Sequence, residues 1–161
     1  MSSKRTAAVE QFWSDFCASH GVAVDQRYDV YRFGDSREMA DELVDLVIHG
    51  PKRATAGLLM DVDPQDEPLP EVGIYSIILD GIDRPRCVVR TTEVEVKPLR
   101  DADASFAWDE GEGERTLEWW LEAHTSYFTR DLARRGVAFS EELPAVFERF
   151  ELVWEPEDEA R

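Results

Sequence analysis

The stretch "HGPKRATAGLL", residues 49–59, marks the point where a helical sequence pattern gives way to strand patterns. Gly50 and Pro51 predict a helix end, because glycine is favoured just past a helix and proline cannot continue one. The short apolar run at residues 54–60 then predicts a strand. We therefore expect a helix to stop and a sheet to begin at this junction.

Two amphipathic helices are predicted before the junction. The first ends at Gly21, and its apolar residues follow the helical spacing i, i+3, i+4, i+7 and i+8. These residues are Val9, Phe12, Trp13, Phe16 and Cys17. The second helix begins at Asp35 or Ser36, and Asp35 with Glu38 has the spacing of a capping box. Its predicted buried stripe comprises Met39, Leu43, Leu46 and Val47.

Strands and a third helix are predicted after the junction. The strand patterns are "LPEVGIYSIILDG" at 69–81, "RCVVRTTEVEV" at 86–96 and "FERFELVWE" at 147–155. Thr116 is the predicted N-cap of the third helix and Gly136 its end. Its predicted stripe comprises Leu117, Trp120, Leu121, His124, Phe128 and Leu132. Because helices and strands do not alternate regularly, we expect an α+β domain with a curled, mostly antiparallel sheet.

The chain length of 161 residues predicts a single domain over residues 1–161. Residues 1–32 are expected to be an N-terminal helical extension and residues 155–161 an acidic, solvated tail. No apolar run reaches the length of about 18 residues that a membrane helix needs, and no signal peptide is evident. Two cysteines without a secretion signal favour a reduced, cytoplasmic protein.

Negative charge restricts the partners of this protein. The 35 acidic side chains outnumber the 18 lysines and arginines, giving a formal net charge of -17. Such a field repels a long polyanion, so extended duplex DNA is excluded as a partner. The two cysteines and three histidines lack the spacing of a metal site, so none is predicted. The sequence identifies neither a cofactor nor an oligomeric state.

Lys52, Arg53 and Thr55 are the polar residues of the junction. A cation after a helix is favoured by the free carbonyls of its last turn, which is a purely structural reason for both basic residues. Lys52 does not belong to a Walker A loop, because the G-x-x-x-x-G-K-[ST] spacing is absent. A functional reading is also open: a threonine beside a lysine can act as a nucleophile if the lysine loses its proton.

Glu93 is a second candidate, within the strand pattern at 86–96. In regular alternation, one face of this strand carries Cys87, Val89, Thr91, Glu93 and Glu95. A carboxylate on a face with apolar neighbours needs a cationic partner or has a shifted pKa. The alternative is a face that becomes solvated toward Glu95, and a single bulge would invert the faces.

The chain contains, in this order, a helix pattern, "GPKRAT", an apolar strand pattern, "VGIYSIIL" and "VVRTTEVEV". This order resembles that of the ASCH domain family, in particular its longer bacterial branch. The hallmark G-x-K-x-x-T is matched by Gly50, Lys52 and Thr55, and "DEGEGERTLEWW" follows downstream. The resemblance covers roughly residues 33–154. It implies a PUA-like β-barrel with flanking helices and a role connected with RNA.

The resemblance also implies two kinds of activity. Some members cleave RNA, and others hydrolyse the amide of N4-acetylcytidine with a lysine, a threonine and a glutamate on a later strand. By position these are Lys52, Thr55 and Glu93, with Glu95 also available. Lys52 is expected to pair with Glu93 and to remove the proton of Thr55 as it attacks the acyl carbon. In an RNA reaction, Lys52 would instead stabilise the phosphoryl oxygens.

The predicted function is therefore a hydrolase, of ribonuclease or N4-acylcytidine amidohydrolase type, that acts on single-stranded RNA or a modified nucleoside. The alternative is a non-catalytic RNA-binding module or a small-ligand sensor that uses the same cleft. The substrate-binding candidates are Arg53, Tyr75, Arg86, Arg90, Arg115, Trp119 and His124. For His124, a packed core role and an acid–base role both remain open.

Overall fold

A computed structural model of the protein describes residues 4–65 and 67–156. The helices are α1 (Ala7–His20), α2 (Arg37–His49), α3 (Ala104–Glu110) and α4 (Leu117–Arg134). The strands are β1 (Tyr28–Tyr31), β2 (Ala54–Leu58), β3 (Tyr75–Leu79), β4 (Pro85–Pro98) and β5 (Pro144–Trp154). Short 3-10 turns follow β2 and β4, at Leu59–Asp61 and Leu99–Asp101. Most of the predicted acidic tail, residues 157–161, lies outside the described residues.

The five strands form one sheet in the order β1-β3-β4-β5-β2. β1 pairs with β3 in parallel, and the other three neighbouring pairs are antiparallel. The predicted α+β class with a mostly antiparallel sheet is confirmed. The expected closed barrel is wrong, because β1 and β2 form the two edges of the sheet and are not paired with each other in the described chain.

Helices cover both faces of the sheet. α1 packs on one face through Trp13 and Phe16, against Ile77 of β3 and Val88 of β4. α2 contributes to a second apolar cluster with Phe33, Ile78 and Phe150, among others. α3 and α4 pack against β2 and β5 in a third cluster, in which Phe106, Trp120 and Phe147 are buried. α1 and α2 therefore lie on opposite faces of the sheet, since the successive β3 residues Ile77 and Ile78 point to opposite faces, and α3 and α4 cover the β2–β5 end.

Most of the predicted helix boundaries are confirmed. Gly21 ends α1 in the left-handed conformation, and the Thr116 side chain caps α4 by accepting from the Trp119 backbone N–H. The N-cap of α2 is Ser36, one of the two predicted start residues, and it accepts from the Met39 N–H. The capping box expected from Asp35 with Glu38 is wrong, because Asp35 precedes the cap. The buried face of α2 also differs from the predicted stripe: it comprises Ala40, Val44, Val47 and Ile48.

Two short elements were not expected from the sequence. β1 has 4 residues within the segment predicted as a helical extension, and α3 has 7 residues within an acidic segment. Both are shorter than the windows over which periodicity is recognisable.

Within the described part of the chain, no helix combines the length and the apolar character needed to cross a membrane.

Candidate functional site

Lys52 lies in the loop between α2 and β2, and its side chain is 1% exposed. Its ammonium donates to the Ala54 carbonyl oxygen at 2.8 Å, to Glu110 Oε1 at 3.0 Å and to Glu112 Oε2 at 2.7 Å. An ammonium has three N–H donors, so each has a partner. We call Lys52, Glu110 and Glu112, with Trp120 and His124 behind them, the buried ionic cluster.

The buried ionic cluster keeps Lys52 protonated. Burial alone would lower the pKa of Lys52, but the charges and hydrogen bonds of Glu110 and Glu112 outweigh it and raise the pKa. Burial likewise raises the pKa of Glu112 to about 7, although the charge of Lys52 acts in the opposite direction. An ammonium cannot accept a proton, so the predicted role of Lys52 as the base that deprotonates Thr55 is not supported.

Glu110 joins α3 to α4 inside this cluster. Its Oε2 accepts from the Trp120 indole N–H at 2.8 Å and lies 3.1 Å from His124 Nε2. His124 stacks on Trp120 with ring centroids 3.9 Å apart, and its Nδ1 lies 2.9 Å from the Trp120 carbonyl oxygen. Burial would lower the pKa of His124, but Glu110 raises it. The structure therefore gives His124 a packed, hydrogen-bonded place in the core.

Gly111 explains why a glycine separates the two glutamates of the "EGEG" segment. Its φ is +70°, and a Cβ built there would lie 2.7 Å from the Lys52 backbone N. The left-handed conformation disfavours side chains, and this close approach leaves no room for one. Gly111 thus lets the loop turn tightly enough for Glu110 and Glu112 to reach the same ammonium.

Glu93 lies away from this cluster, and the predicted ion pair between Lys52 and Glu93 is wrong. Its carboxylate bonds Arg149, and about half of its side chain is exposed. The reason is a bulge in β4: Thr91 is opposite Phe150 and Glu93 is opposite Arg149, so two steps along β4 match one step along β5. The bulge inverts the faces, and Glu93 shares the face of Arg149 while Thr91 keeps the other.

A cavity of about 350 Å³ lies between the two edge strands of the sheet. β1 contributes Asp29 and Tyr31, and β2 contributes Thr55. The central strands contribute Ser76 from β3 and Glu148 from β5. We call this cavity the edge-strand cleft. Its volume lies in the range of small-molecule sites, so it can hold one compact ligand.

Apolar and aromatic side chains also line the edge-strand cleft. Phe33 follows β1, and Tyr127 and Phe128 project from α4. Val62 and Pro68 belong to the segment that connects β2 with β3. Aromatic faces beside a few polar groups are typical of pockets that bind a flat, partly polar ligand.

Glu148 is the polar residue that the sequence analysis missed. It is 6% exposed, pairs with Thr55 in the β2–β5 register, and accepts a hydrogen bond from the Thr91 hydroxyl at 2.6 Å. Burial raises the pKa of Glu148 to about 7, although Thr91 and the charge of Lys52 act in the opposite direction. A sequence signal existed: Val146, Glu148 and Phe150 alternate on one face of β5, so the glutamate falls in an apolar series.

Thr55 is the one predicted catalytic residue that lines the cleft. It is opposite Glu148 on adjacent antiparallel strands, a relation that brings Cβ atoms to roughly 4.5–5.5 Å of each other. A hydroxyl facing a carboxyl that titrates near neutral pH can exchange a proton with it. Lys52 lies behind the wall of the cleft, with its ammonium 5.1 Å from the centroid of the Phe33 ring.

The cleft is acidic. Its lining carries the carboxyl groups of Asp29, Asp61, Glu67 and Glu148. Three of these are paired with cations outside the lining: Asp29 with Arg27, Asp61 with Arg135 and Glu67 with Lys4. The basic side chain among the lining residues is Arg32, and it is paired with Asp83. Among the described lining residues, no cation is therefore left unpaired to attract a phosphate group, which favours an uncharged ligand. Among the described residues, no group of three or more His, Cys, Asp and Glu side chains is arranged to hold a metal ion.

Three predicted substrate-binding residues have other surroundings. Arg53 donates to the carbonyl oxygens of Val47 at 2.9 Å and of Lys52 at 2.6 Å, and so caps the end of α2. Arg86 lies near Asp45 and Asp80, at 3.4 and 3.8 Å. None of the three residues Arg53, Arg86 and Arg90 is among the lining residues of the edge-strand cleft.

Aromatic and loop candidates also lie elsewhere. Tyr75 packs against Phe16 of α1, and the Arg90 guanidinium lies 5.4 Å from its ring centroid. Arg115 donates to the Trp108 carbonyl oxygen and lies 3.6 Å from the centroid of that indole. The Trp119 indole contacts Gly113, where an added Cβ would overlap it at 2.2 Å.

Comparisons with known proteins place these features in a family. The family model described as ASCH domain matches residues 29–154. A crystal structure of a protein from Enterococcus faecalis V583 is similar with a TM-score of 0.77 and 38% identity, over 91% of this chain and 92% of that one. An ASCH domain structure from Lactobacillus crispatus JV V101 gives a TM-score of 0.74 and 28% identity, over 89% and 92%. The comparison with curated proteins gives no match. The chain therefore belongs to the ASCH domain family.

Proposed function

We propose that this ASCH domain protein is a hydrolase that removes an acyl group from a modified nucleoside of the N4-acylcytidine type. The PUA-like fold of the family supports a general RNA-related function. The observation that carries the specific proposal is the pairing of Thr55 with Glu148, whose pKa is about 7, inside a cavity of about 350 Å³. A hydroxyl and a carboxyl that titrates near neutral pH supply a nucleophile and a proton carrier.

Glu148 takes the role first expected of Lys52. Its carboxylate accepts the Thr55 proton while Thr55 Oγ1 bonds to the acyl carbon, and the carbonyl π electrons move to the acyl oxygen. The carbonyl then re-forms, the C–N bond breaks, and Glu148 returns the proton to the leaving amine. Water hydrolyses the resulting acyl ester of Thr55, again with Glu148 as the base.

Lys52 contributes through position and charge. It holds the loop that begins β2, because its ammonium donates to the Ala54 carbonyl next to Thr55. Its charge also acts to lower the pKa of Glu148, against the effect of burial. The positive charge therefore favours the ionised carboxylate that accepts the Thr55 proton.

The acidic lining favours a nucleoside over an RNA strand. An RNA substrate would bring phosphates to a cleft whose one lining cation among the described residues, Arg32, is already paired with Asp83, whereas a nucleoside has no phosphate to bind. Phe33 and Phe128 offer apolar faces for a base. This distribution supports amide hydrolysis over the ribonuclease alternative.

The proposal is tested by incubating purified protein with N4-acetylcytidine and measuring the acetate and cytidine released. We expect turnover by the wild type and a loss of at least about 100-fold in kcat for Thr55→Val and Glu148→Gln, since each removes a reacting group. Glu93→Gln is the matched control, because it alters an exposed glutamate of the same sheet that bonds Arg149, and it should retain full activity.

Four outcomes would count against this reading. Absence of acetate release by active-site-intact protein would contradict the hydrolase. Nucleoside binding without turnover would favour a small-ligand sensor, and salt-sensitive binding of single-stranded RNA would favour an RNA-binding module. Equal losses in Glu93→Gln and Glu148→Gln would contradict the choice of Glu148.

A further inference from the structure

Tyr31 ends the edge strand β1 and lines the edge-strand cleft. Its ring packs edge-on against Phe33 with centroids 5.4 Å apart. In β1, Tyr28 and Val30 belong to the cluster around α1, whereas Asp29 and Tyr31 alternate onto the face of the cleft. The side chain of Tyr31 is therefore held at the inner wall of the proposed active site.

The Tyr31 hydroxyl is buried and has no hydrogen-bond partner among the described residues. Buried polar groups are almost always paired, since leaving one unpaired loses the hydrogen bonds it made in water. Glu148 Oε2 accepts from the Thr91 hydroxyl beside the cleft. Among the described lining residues, the Tyr31 hydroxyl is the buried side-chain polar atom that has no partner.

The environment of Tyr31 keeps this donor protonated. Burial raises the pKa of Tyr31 well above its ordinary value, and the negative charges of Glu148 and Asp29 add to the rise. A phenol held neutral next to a proton-transferring carboxyl can donate a hydrogen bond at any physiological pH. Its dry surroundings strengthen the interaction with a developing negative charge.

We propose that Tyr31 is a further catalytic residue, whose hydroxyl donates a hydrogen bond to the acyl oxygen of the bound substrate. This inference rests on the proposed function. As Thr55 Oγ1 bonds to the acyl carbon, the carbonyl π electrons become a lone pair on the acyl oxygen, and the Tyr31 O–H stabilises that charge without giving up its proton. When the C–N bond breaks, the electron pair returns to the carbonyl and the hydrogen bond weakens.

Tyr31→Phe tests the inference, because it removes the hydroxyl and keeps the ring. We expect kcat for N4-acetylcytidine to fall about 100-fold with little change in KM, as when one oxyanion donor is lost. Tyr28→Phe is the matched control: Tyr28 lies on the same strand, but its ring stacks on Trp13 at 4.2 Å. It should retain the wild-type kcat.

Two further measurements separate a catalytic contact from a structural one. The melting temperature of Tyr31→Phe should equal or exceed that of the wild type, because the hydroxyl removed has no partner to lose. The pH–rate profile of Tyr31→Phe should keep the wild-type midpoint, since Glu148 remains the base. A lowered melting temperature, or a shifted midpoint with an unchanged plateau rate, would overturn the inference.

Failure of this inference can be told apart from failure of the proposed function. If the wild type releases acetate and Tyr31→Phe does so equally fast, Tyr31 is not catalytic while the hydrolase stands. If the wild type releases no acetate, the proposed hydrolase activity is wrong. Titration calorimetry with N4-acetylcytidine and with cytidine then tests whether the Tyr31 hydroxyl contacts the acyl group. A preference for N4-acetylcytidine over cytidine that Tyr31→Phe abolishes supports the contact, and a preference that survives, or no preference, overturns it.

Discussion

The buried ionic cluster and the edge-strand cleft both contain buried carboxyl groups, yet they differ in how completely those groups are paired. In the cluster, each N–H of Lys52 has an acceptor, and Glu110 binds three partners. In the cleft, Glu148 has the Thr91 hydroxyl as its hydrogen-bond partner, and the Tyr31 hydroxyl has none among the described residues. Glu112 of the cluster and Glu148 of the cleft both have a pKa of about 7, so the two regions differ in pairing and not in pKa. A saturated network has little capacity left for a ligand, so we expect the cluster to contribute stability, and the proposed chemistry belongs to the cleft.

The largest effect is expected at the centre of the cluster. Lys52→Met should lower the free energy of unfolding by about 3–5 kcal/mol, because it leaves the Glu110 charge buried without its cation. Urea denaturation monitored by tryptophan fluorescence measures this loss. The double variant Lys52→Met with Glu110→Gln should recover part of it. A Lys52→Met protein of wild-type stability would contradict the structural role of the cluster.

A smaller loss is expected at Gly111. Gly111→Ala should destabilise the protein by about 2–3 kcal/mol, since the left-handed conformation and the contact with the Lys52 backbone both oppose a Cβ. Gly21→Ala is the matched control: its φ of +66° is similar, but an added Cβ meets no atom within 4 Å. Thermal unfolding of both variants measures how much more stability Gly111→Ala loses than Gly21→Ala, and this difference is the effect of the contact with the Lys52 backbone. Equal losses would show that the contact does not affect stability.

The smallest effect is a pH-dependent one in the cleft. The pKa of Glu148 is raised to about 7 in the folded protein, above the ordinary value of 4.5. The folded state therefore binds more protons than the unfolded state between these values, and this carboxyl destabilises the fold increasingly as pH rises from about 4.5 to 7. Glu148→Gln lacks this penalty, so its stability relative to the wild type should improve by about 1–2 kcal/mol between pH 6 and pH 8.

Urea denaturation at these two pH values checks that prediction. Glu112, whose pKa is also about 7, is present in both proteins, so its contribution cancels in the difference. A difference between wild type and Glu148→Gln that does not change with pH would show that Glu148 is ionised at the same pH in both states. It would also remove the main support for Glu148 as a base.

Much of the fold follows from local sequence signals, and the site follows only in part. Gly21 ends α1 and Thr116 caps α4, and the local sequence predicts both positions. Family resemblance singled out Lys52 and Thr55, but not their partners. Lys52 bonds Glu110, which is 58 positions away along the chain. Hydrophobic periodicity reports only local structure, so it cannot predict a contact at this separation.

The misplaced glutamate has a different cause. Regular alternation puts Glu93 on the face of Thr91, and the irregularity between them in β4 moves it to the other face. The sequence "TTEVEV" carries no glycine or proline that would indicate such a bulge. Glu148 could have been recognised instead, because its place between Val146 and Phe150 puts a charge in an apolar series.

The open sheet has a consequence for motion. The walls of the cleft include the two edge strands, β1 with 4 residues and β2 with 5 residues, whereas the longer β4 and β5 lie inside the sheet. Edge elements with a pairing partner on one side open at lower free energy than central ones. Transient fraying of β1 can thus widen the cleft and admit a ligand while β3, β4 and β5 stay paired. Ligand entry and native-state hydrogen exchange of the β1 amides would then both depend on the same opening equilibrium.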